Sequence, residues 1–339
     1  MKLQNIIEKH WYKKTNLPLS IILLPACLIF FIISQIRYYL YKNNIIKSYK
    51  LPVPVVIVGN ISVGGVGKTP LTKMLATELD SQGIKVGIIL RGYKGSASEN
   101  GVVVLSNITS DEVGDEALIY ADNGFKVAIG SNRYQAGLKL LAAYPEIQLI
   151  IADDGLQHYK LQRDFEIAVV DASRLFGNHF VLPMGPLRET ASRLNSVDAI
   201  VINGSNGENA LDSSSLLDKY KSRLYTQQIA FDKIYNPVTN TIAYPNQFVN
   251  QPICAMAAIG NPARFFNLLE HLGITPAQTL AFPDHYQYTL EDIPKNTTIL
   301  VTEKDYTKLS QFKNPNIWVV YVKAELKNDQ LISKIKALT

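Results

Sequence analysis

Hydrophobic and polar positions alternate in blocks along most of the chain. Apolar runs of strand length recur after residue 50, at 55–58, 85–90, 126–129, 148–152, 166–170 and 199–202. Between several of these runs the apolar residues recur every three or four positions, as Leu71, Leu75 and Leu79 do, which is the spacing of one helix face. Strands that alternate with helices in this way predict an α/β fold with a mostly parallel sheet covered by helices.

A second block of the same pattern follows a stretch at 203–215 that is rich in Gly, Asn and Ser and is the best candidate for a linker. Strands are predicted at 253–257, 298–301 and 317–322, and helices at 262–272 and 326–338. At about 150 residues per domain, 339 residues accommodate two domains. We therefore predict an N-terminal segment at 1–48, a first α/β domain at 49–210 and a smaller second α/β lobe at 211–339.

The N-terminal segment differs from the rest in hydropathy. Residues 15–36 contain no charged side chain, and at about 1.5 Å per residue such a helix could cross or enter a hydrocarbon layer of about 30 Å. Three tyrosines lie beside Arg37 and Lys42, as in an interfacial belt that favours anionic lipid. We interpret the segment as a hydrophobic membrane helix. A buried core helix and a cleaved signal peptide are the alternatives, and Pro25 leaves open whether the helix spans the membrane or lies in it.

Charge and cysteine content narrow the class of protein. Residues 1–50 carry a net charge of +7, whereas the remaining residues carry −2. A nearly neutral body argues against a nucleic-acid surface, so we expect no nucleic-acid partner. The two cysteines, Cys27 and Cys254, lie far apart in the sequence, which disfavours a disulfide framework or a structural zinc site and fits a reducing environment.

The strongest local motif is the glycine-rich run GNISVGGVGKTP at 59–70, which follows an apolar strand and opens a helix. Backbone N–H groups of such a turn bind phosphate oxygens at a helix N-terminus. Lys68 can reach the β- and γ-phosphates, and the Thr69 hydroxyl can ligate Mg²⁺. The strict motif has glycine at position 62, where this chain has serine. We predict a nucleoside triphosphate site formed by Ser62, Val63, Gly64, Gly65, Val66, Gly67, Lys68 and Thr69.

A second motif, QLIIADDGLQH at 148–158, is an apolar strand that ends in Asp153 and Asp154. A carboxylate at the end of a strand beside a phosphate loop is placed to meet the bound magnesium. Adjacent residues of an extended chain point to opposite sides, so we expect one of the two to contact the metal directly, and the sequence does not distinguish them. An ordinary Asp-Gly turn is the structural alternative.

Further charged residues are candidates for phosphoryl-transfer chemistry. The acidic run at 110–116 begins a predicted helix, where acids either complement the helix dipole or supply a general base for a hydroxyl nucleophile. Arg91 follows the strand at 85–90, and Arg188 lies in the run LPMGPLRE. Cations in the crevice at the carboxyl ends of strands could hold phosphoryl oxygens. A solvated surface position is the alternative for each arginine.

Taken in order, the runs VGNISVGGVGKTP, RGYKG, VGDEA, DDGLQHYKLQRD, FGNHFVLPMGPLRE, IGNPARFF, FPDHY and VTEKD resemble the tetraacyldisaccharide 4′-kinase family of lipid A biosynthesis. The resemblance extends from about residue 50 to residue 305. It implies a P-loop NTPase-like core that uses ATP and Mg²⁺ to phosphorylate the 4′-hydroxyl of a tetraacylated glucosamine disaccharide 1-phosphate, which gives lipid IVA. It also implies a membrane-surface protein at the cytoplasmic face of the inner membrane of a Gram-negative bacterium, and we expect a monomer.

The resemblance also assigns roles to single residues. Asp115 in VGDEA corresponds to the proposed catalytic base of the family, and His285 in FPDHY to the histidine that supports it. Lys68, Arg91 and Arg188 complete the expected catalytic set. Because His285 lies in the second lobe and Lys68 in the first, the lobes are expected to face each other across the site and to close over nucleotide.

The main alternative is a membrane-associated P-loop switch ATPase of the partitioning or targeting type. Its loop, often KGGVGKT, carries a signature lysine where this chain has Val63, which disfavours that class. A non-catalytic nucleotide-binding scaffold is disfavoured because Lys68, Thr69 and Asp154 are all present.

Overall fold

The chain begins with two helices that precede the sheet. The computed structural model describes residues 2–13, 16–92, 101–104, 110–204, 215–249, 251–284 and 286–339. Helix α1 is Lys2–Tyr12, and α2 is Leu17–Lys42, whose first turn is capped where the Asn16 side chain accepts a hydrogen bond from the Leu19 N–H at 3.1 Å.

Helix α2 is about 39 Å long and, by length and composition, is apolar enough to cross a membrane. Most of its side chains are exposed, and Cys27 is its buried residue. The alternative of a buried core helix is therefore wrong. The helix is instead an exposed apolar element attached to the body of the protein.

The first half of the sheet is the parallel core that the apolar runs predicted. Its spatial order is β3-β4-β2-β5-β1-β6-β7, and β3 is antiparallel to its neighbour. The predicted α/β fold class is confirmed. The strands are β1 (Val55–Gly59), β2 (Val86–Leu90), β3 (Val102–Val103), β4 (Lys126–Ile129), β5 (Leu149–Asp153), β6 (Phe165–Asp171) and β7 (Ala199–Asn203). The helices are α3 (Lys68–Ser81), α4 (Ser110–Val113), α5 (Asp115–Asp122) and α6 (Arg133–Ala143).

Both faces of this sheet are buried, which explains why its strands are continuous apolar runs. Val56 and Val58 of β1 face the cluster formed with α3, which includes Leu75. Val55 and Ile57 point to the opposite face, into the cluster formed with α6. The alternation of one strand between two hydrophobic layers fixes the phosphate loop at the end of a buried, rigid element.

The second half continues the same sheet in the order β11-β10-β12-β13-β8, with β9 paired to β8. Its strands are β8 (Leu224–Asn236), β9 (Thr241–Ala243), β10 (Ile253–Ala257), β11 (Gln278–Ala281), β12 (Thr298–Thr302) and β13 (Ile317–Leu326). Its helices are α7 (Ser215–Asp218), α8 (Pro262–His271), α9 (Glu303–Leu309) and α10 (Gln330–Lys336). Short 3-10 helices lie at Ala191–Ser196, Lys221–Arg223, Pro245–Phe248, Leu290–Asp292 and Ser310–Phe312.

Strand β8 joins the two halves. Its first residues pair in parallel with β7, with Asn203 opposite Gln227, and its remaining residues pair antiparallel with β13 as far as Tyr235 opposite Val319. Strands β12 and β10 are parallel to β13. These three strands therefore run toward the carboxyl edge of β1–β7, and the carboxyl ends of the two halves face each other.

Several predicted boundaries change in the structure. Strand β13 continues to Leu326, so the helix expected at 326–338 is the shorter α10. The sequence reading did not predict β8, whose long middle section is half-buried and mixed in polarity. The expected linker falls largely in 205–214, outside the described residues. Because one sheet runs through both halves, the division into two domains stays a prediction.

Candidate active site

The phosphate loop connects β1 to α3, and two amide side chains hold it in place by donating hydrogen bonds to its carbonyl groups. Asn203 Nδ2, at the end of β7, donates to the Val66 carbonyl at 2.7 Å, and Gln227 Nε2 donates to the Gly67 carbonyl at 3.3 Å. Gly67 has φ +90°, and a Cβ there would lie 2.0 Å from Asn203 Nδ2. Glycine is required at this position both for its backbone conformation and for the close approach of Asn203.

The other side of the loop pairs with the segment that contains Arg188. The Val63 N–H donates to the Pro186 carbonyl at 2.8 Å, and the Arg188 N–H donates to the Ile61 carbonyl at 2.7 Å. Ser62 and Leu187 form an isolated antiparallel bridge between these bonds. The pairing explains how Arg188, far away in sequence, reaches the site.

Asp154 is the carboxylate shared by the cations of the site. Arg188 Nη1 lies 3.1 Å from both of its oxygens, and Lys68 Nζ lies 3.4 Å from Oδ1. Burial favours the neutral acid, but the charges of Lys68, Arg188 and Arg133 outweigh it and hold the pKa of Asp154 well below its usual range. Asp154 therefore stays ionised, and its φ of +48° turns it out of the strand direction.

Asp153 has a different environment from its neighbour. Its Oδ2 accepts a hydrogen bond from the Tyr120 hydroxyl of α5 at 2.6 Å, and its Oδ1 accepts from the Asp154 N–H at 2.8 Å. Burial, reinforced by the charge of Glu116, raises the pKa of Asp153 to about 7. The pKa values of the two adjacent acids are thus shifted in opposite directions, and their side chains contact different partners.

Asp115 begins α5 in the first half of the sheet, and its side chain pairs with a residue of the second half. Its Oδ2 lies 2.9 Å from Nζ of Lys308, a residue of α9, and the two side chains are 8% and 1% exposed. Helix α5 therefore carries both Asp115 and Tyr120, which links the candidate base to Asp153. His285, the expected partner of Asp115, lies outside the described residues.

Arg91 is exposed directly after β2, at the same edge of the sheet. The neighbouring Arg133 is buried and donates through Nη2 to the carbonyls of Asp153 at 3.4 Å and Asp154 at 3.3 Å. Burial lowers the pKa of Arg133 to about 10, and the charge of Arg91 contributes to this lowering against the opposite effect of the two aspartates. The carboxyl edge of the sheet therefore carries three arginines, Arg91, Arg133 and Arg188, in the region of the adjacent acids at 153–154.

The donor set of this edge fits a hard cation. The register places Asp153 opposite Val58, two positions before the loop begins, and Thr69 lies in the first turn of α3. Carboxylate and hydroxyl oxygens are the ligands that Mg²⁺ prefers, together with phosphate oxygens and water. The described residues contain no group of three or more His, Cys, Asp or Glu side chains that could hold a metal ion by themselves.

The N-terminal helices pack on the loop that leads to Arg188. Trp11 Nε1 donates to the Pro183 carbonyl at 3.1 Å, and Cys27 Sγ donates to the Val181 carbonyl at 3.3 Å. Tyr38 of α2 has its ring 5.5 Å from that of Tyr159. Tyr159 in turn donates to Glu189, the residue after Arg188. The apolar helix is thus connected to the active-site loop at several points.

Sequence reasoning missed five residues that shape the site: Tyr120, Arg133, Asn203, Gln227 and Lys308. A signal existed for Asn203, because it is a polar residue that ends an apolar strand, as Asp153 does. Gln227 and Lys308 act through pairing between distant segments, which local patterns do not encode. Their roles follow from β8 and α9.

Comparisons with known proteins agree with this geometry. The family model described as tetraacyldisaccharide-1-P 4′-kinase matches residues 19–339. A protein of Mannheimia succiniciproducens named tetraacyldisaccharide 4′-kinase is 41% identical over 332 residues, 97% of each chain. One of Haemophilus influenzae with the same name is 42% identical over 320 residues, 93% of this chain and 91% of the relative. The resemblance read from the motifs is confirmed.

A solved structure shows the same fold. The crystal structure titled as an "apo" form of LpxK from Aquifex aeolicus in complex with ATP has a TM-score of 0.80 and 29% sequence identity. The match covers 94% of this chain and 98% of that chain. The agreement extends over both halves of the sheet, so the fold is common to the whole length of the two chains.

We expect Asp153→Asn to stabilise the protein at pH 8 more than at pH 5 in the absence of divalent ions. The folded pKa of about 7 lies above the usual value of about 3.9, so between these values the unfolded chain binds fewer protons and the wild-type free energy of unfolding falls as the pH rises. Asparagine removes this loss, which is roughly 1.4 kcal/mol per unit of difference in pKa. Urea unfolding in detergent with EDTA measures it.

The control is Asp80→Asn, an exposed carboxylate that pairs with Lys85 at 2.9 Å away from the site. We expect it to change stability by the same small amount at both pH values. An Asp153→Asn protein with an equal difference from wild type at pH 5 and pH 8 would contradict a raised pKa for Asp153.

Proposed function

The chain belongs to the family of tetraacyldisaccharide-1-P 4′-kinases, kinases of lipid A biosynthesis, and from that premise we propose how its site carries out the reaction. The proposed reaction transfers the γ-phosphoryl group of ATP to the 4′-hydroxyl of a tetraacylated glucosamine disaccharide 1-phosphate. A new bond forms between the 4′-oxygen and the γ-phosphorus, the bond from that phosphorus to the bridging oxygen of ADP breaks, and the hydroxyl proton passes to a base.

The observation that carries this proposal is the double attachment of α5. The helix presents Asp115 at its first residue and binds Asp153 through Tyr120, beside the phosphate loop. A carboxylate held at a fixed position relative to the phosphate loop is the arrangement that a hydroxyl nucleophile requires. We assign Asp115 the role of accepting or directing the proton of the 4′-hydroxyl, with His285 as its supporting residue.

The cations of the site would bind the transferring group. Lys68 and Arg188 both contact Asp154, and bound triphosphate would offer them additional anionic oxygens. Arg91, exposed at the end of β2, is a further cation for the substrate phosphates. Mg²⁺, held by the Thr69 hydroxyl and one or both of Asp153 and Asp154, would neutralise charge on the β- and γ-phosphates.

The N-terminal helices suit a lipid acceptor. A tetraacylated disaccharide stays in the bilayer, so a kinase that acts on its sugar must work at the interface. We propose that α2 enters the inner membrane from the cytoplasmic face, because it is apolar, exposed and packed on the loop that carries Arg188. The charge of +7 on residues 1–50 would strengthen attraction to anionic lipid.

The direct test incubates the full chain in detergent with γ-labelled ATP, Mg²⁺ and the disaccharide 1-phosphate lipid, beside a lipid-free control. We expect label on the disaccharide only when lipid and enzyme are both present. Phosphate release that is independent of lipid, with no labelled lipid, would overturn the proposal in favour of a switch ATPase. The family match does not favour that alternative.

We expect Asp115→Asn to lower kcat by about 100- to 10,000-fold, the usual contribution of a general base, and to change the KM for ATP by less than about twofold. The amide keeps the shape of the side chain but does not accept a proton. Initial rates in the labelled-lipid assay measure both constants. Glu78→Gln, an exposed position on α3, is the matched control and should retain the wild-type kcat; an Asp115→Asn enzyme that did the same would remove Asp115 from its role.

We expect lysines in α2 to weaken membrane binding. Ile22 and Ile29 are 73% and 59% exposed, and each lysine in the middle of a membrane helix costs roughly 2.5 to 3.5 kcal/mol. The double variant Ile22→Lys/Ile29→Lys should co-sediment less with anionic phospholipid vesicles while still binding ATP. Ile242→Lys, at a 61% exposed position of β9, is the control. Equal loss in both variants would argue against α2 as the membrane element.

A further inference from the structure

Helix α9 carries a lysine that is buried against the candidate base. Lys308 lies in the last turn of α9, and its side chain is 1% exposed. Its Nζ forms an ion pair with Asp115, at 2.9 Å from Oδ2, and makes no hydrogen bond to any other group among the described residues. An ammonium group removed from water needs a counter-charge, because an isolated buried charge is costly. Asp115 supplies that counter-charge from the other half of the sheet.

Because of the position of Asp115, the contact with Lys308 affects how its carboxylate is oriented. The residue follows Gly114, which has φ +84°, and it begins α5, so its backbone is already fixed by the turn and the helix. The side chain itself is 8% exposed and has little water to orient it. A cation at 2.9 Å therefore favours one orientation of the carboxylate.

Other residues of α9 also attach the helix to its surroundings. Glu303 accepts hydrogen bonds at 2.8 Å from Lys73 of α3 and from Asn123. The buried Asp305 accepts from the Ala258 N–H and from the Tyr288 hydroxyl, both at 2.9 Å. Since these contacts already dock α9, the fold does not need a buried lysine for that purpose, and an apolar side chain of similar volume would cost less to bury.

We propose that Lys308 is a positioning residue for Asp115, whose carboxylate it holds in the orientation that the phosphoryl transfer requires. Asp115 is then correctly oriented only when α9 of the second half packs against α5 of the first. This inference rests on the role proposed above for Asp115. It adds a residue from the second half whose effect on the reaction passes through that carboxylate.

The first test compares Lys308→Met with the wild-type chain in the labelled-lipid assay. Methionine keeps the length and apolar stem of the side chain and removes the charge. We expect kcat to fall about 10- to 100-fold, the loss typical when the partner that orients a metal-ligating side chain is removed, with the KM for ATP within about twofold. Lys308→Arg keeps the charge and should recover part of the lost kcat. Lys73→Met, which removes another ion pair between α9 and the first half, is the matched control and should keep the wild-type kcat.

The second test places Lys308→Met in the Asp115→Asn background. If Lys308 acts through Asp115, the double variant should have the same kcat as Asp115→Asn within about twofold, because the group being positioned is already disabled. A multiplicative further loss, or an equal loss in Lys73→Met, would show a general structural role and overturn the inference. If Lys308→Met alone does not fold, the same comparison is made with Lys308→Arg in both backgrounds.

The two proposals fail in different ways. An Asp115→Asn enzyme with wild-type kcat overturns the role of Asp115 and the inference with it. An inactive Asp115→Asn enzyme together with a fully active Lys308→Met enzyme overturns the inference and leaves the proposed function in place.

Discussion

The pairing of β8 with two different neighbours is the constraint on which the site depends. Its first residues extend the parallel core beside β7, and about nine further residues, some 30 Å of strand, continue past the carboxyl edge to pair with β13. Since β13, β12 and β10 run back toward that edge, the loop that follows β10 meets the phosphate loop, and α9, which follows β12, contacts α3. Gly260 shows how close they come, because a Cβ there would lie 3.0 Å from the Gly65 N–H nitrogen. Without this reversal α9 would not reach α5.

Three carboxylates at this edge are held by three kinds of partner. Asp154 is shared by Lys68 and Arg188, Asp153 is bound by the Tyr120 hydroxyl, and Asp115 is paired with Lys308. Opposite charge offsets the cost of burying Asp154 and Asp115, whereas a hydrogen bond offsets it for Asp153. The acids therefore differ: Asp154 stays ionised, the pKa of Asp153 is raised to about 7, and Asp115 is paired with a buried lysine.

The loop at 173–189 connects the apolar helix with the nucleotide site. On one side it pairs with the phosphate loop at Ser62, and on the other it accepts hydrogen bonds from Trp11 and Cys27 of the N-terminal helices. Arg188 lies at the end of this loop, next to Glu189, which accepts a hydrogen bond from the Tyr159 hydroxyl. The loop therefore provides a continuous set of contacts between the apolar helix α2 and the candidate active site.

The sequence by itself determined the parts of the protein that local patterns encode. The strands β1, β2 and β4–β7 are continuous apolar runs because both faces of the sheet are buried, and the glycine-rich run at 59–70 marks the phosphate loop because Gly67 must adopt a conformation with positive φ. The order of motifs such as DDGLQH and GPLRE was enough to predict the family, which the comparisons confirm. None of these inferences required knowledge of which distant segments touch.

Only the tertiary structure decided how the halves of the site meet. Strand β8, which joins them, could not be predicted from the sequence, because its middle section is partly exposed and its residues are therefore of mixed polarity. The environments of Asp153 and Asp154 also depend on long-range contacts, from Tyr120 in one case and from Arg188 in the other. The sequence gives no sign that Lys308 is buried, since the burial of a charge depends on which distant segments pack over it. Local propensity specifies which helix or strand a residue joins, whereas contacts between distant segments determine the burial, the charge partners and hence the chemistry of its side chain.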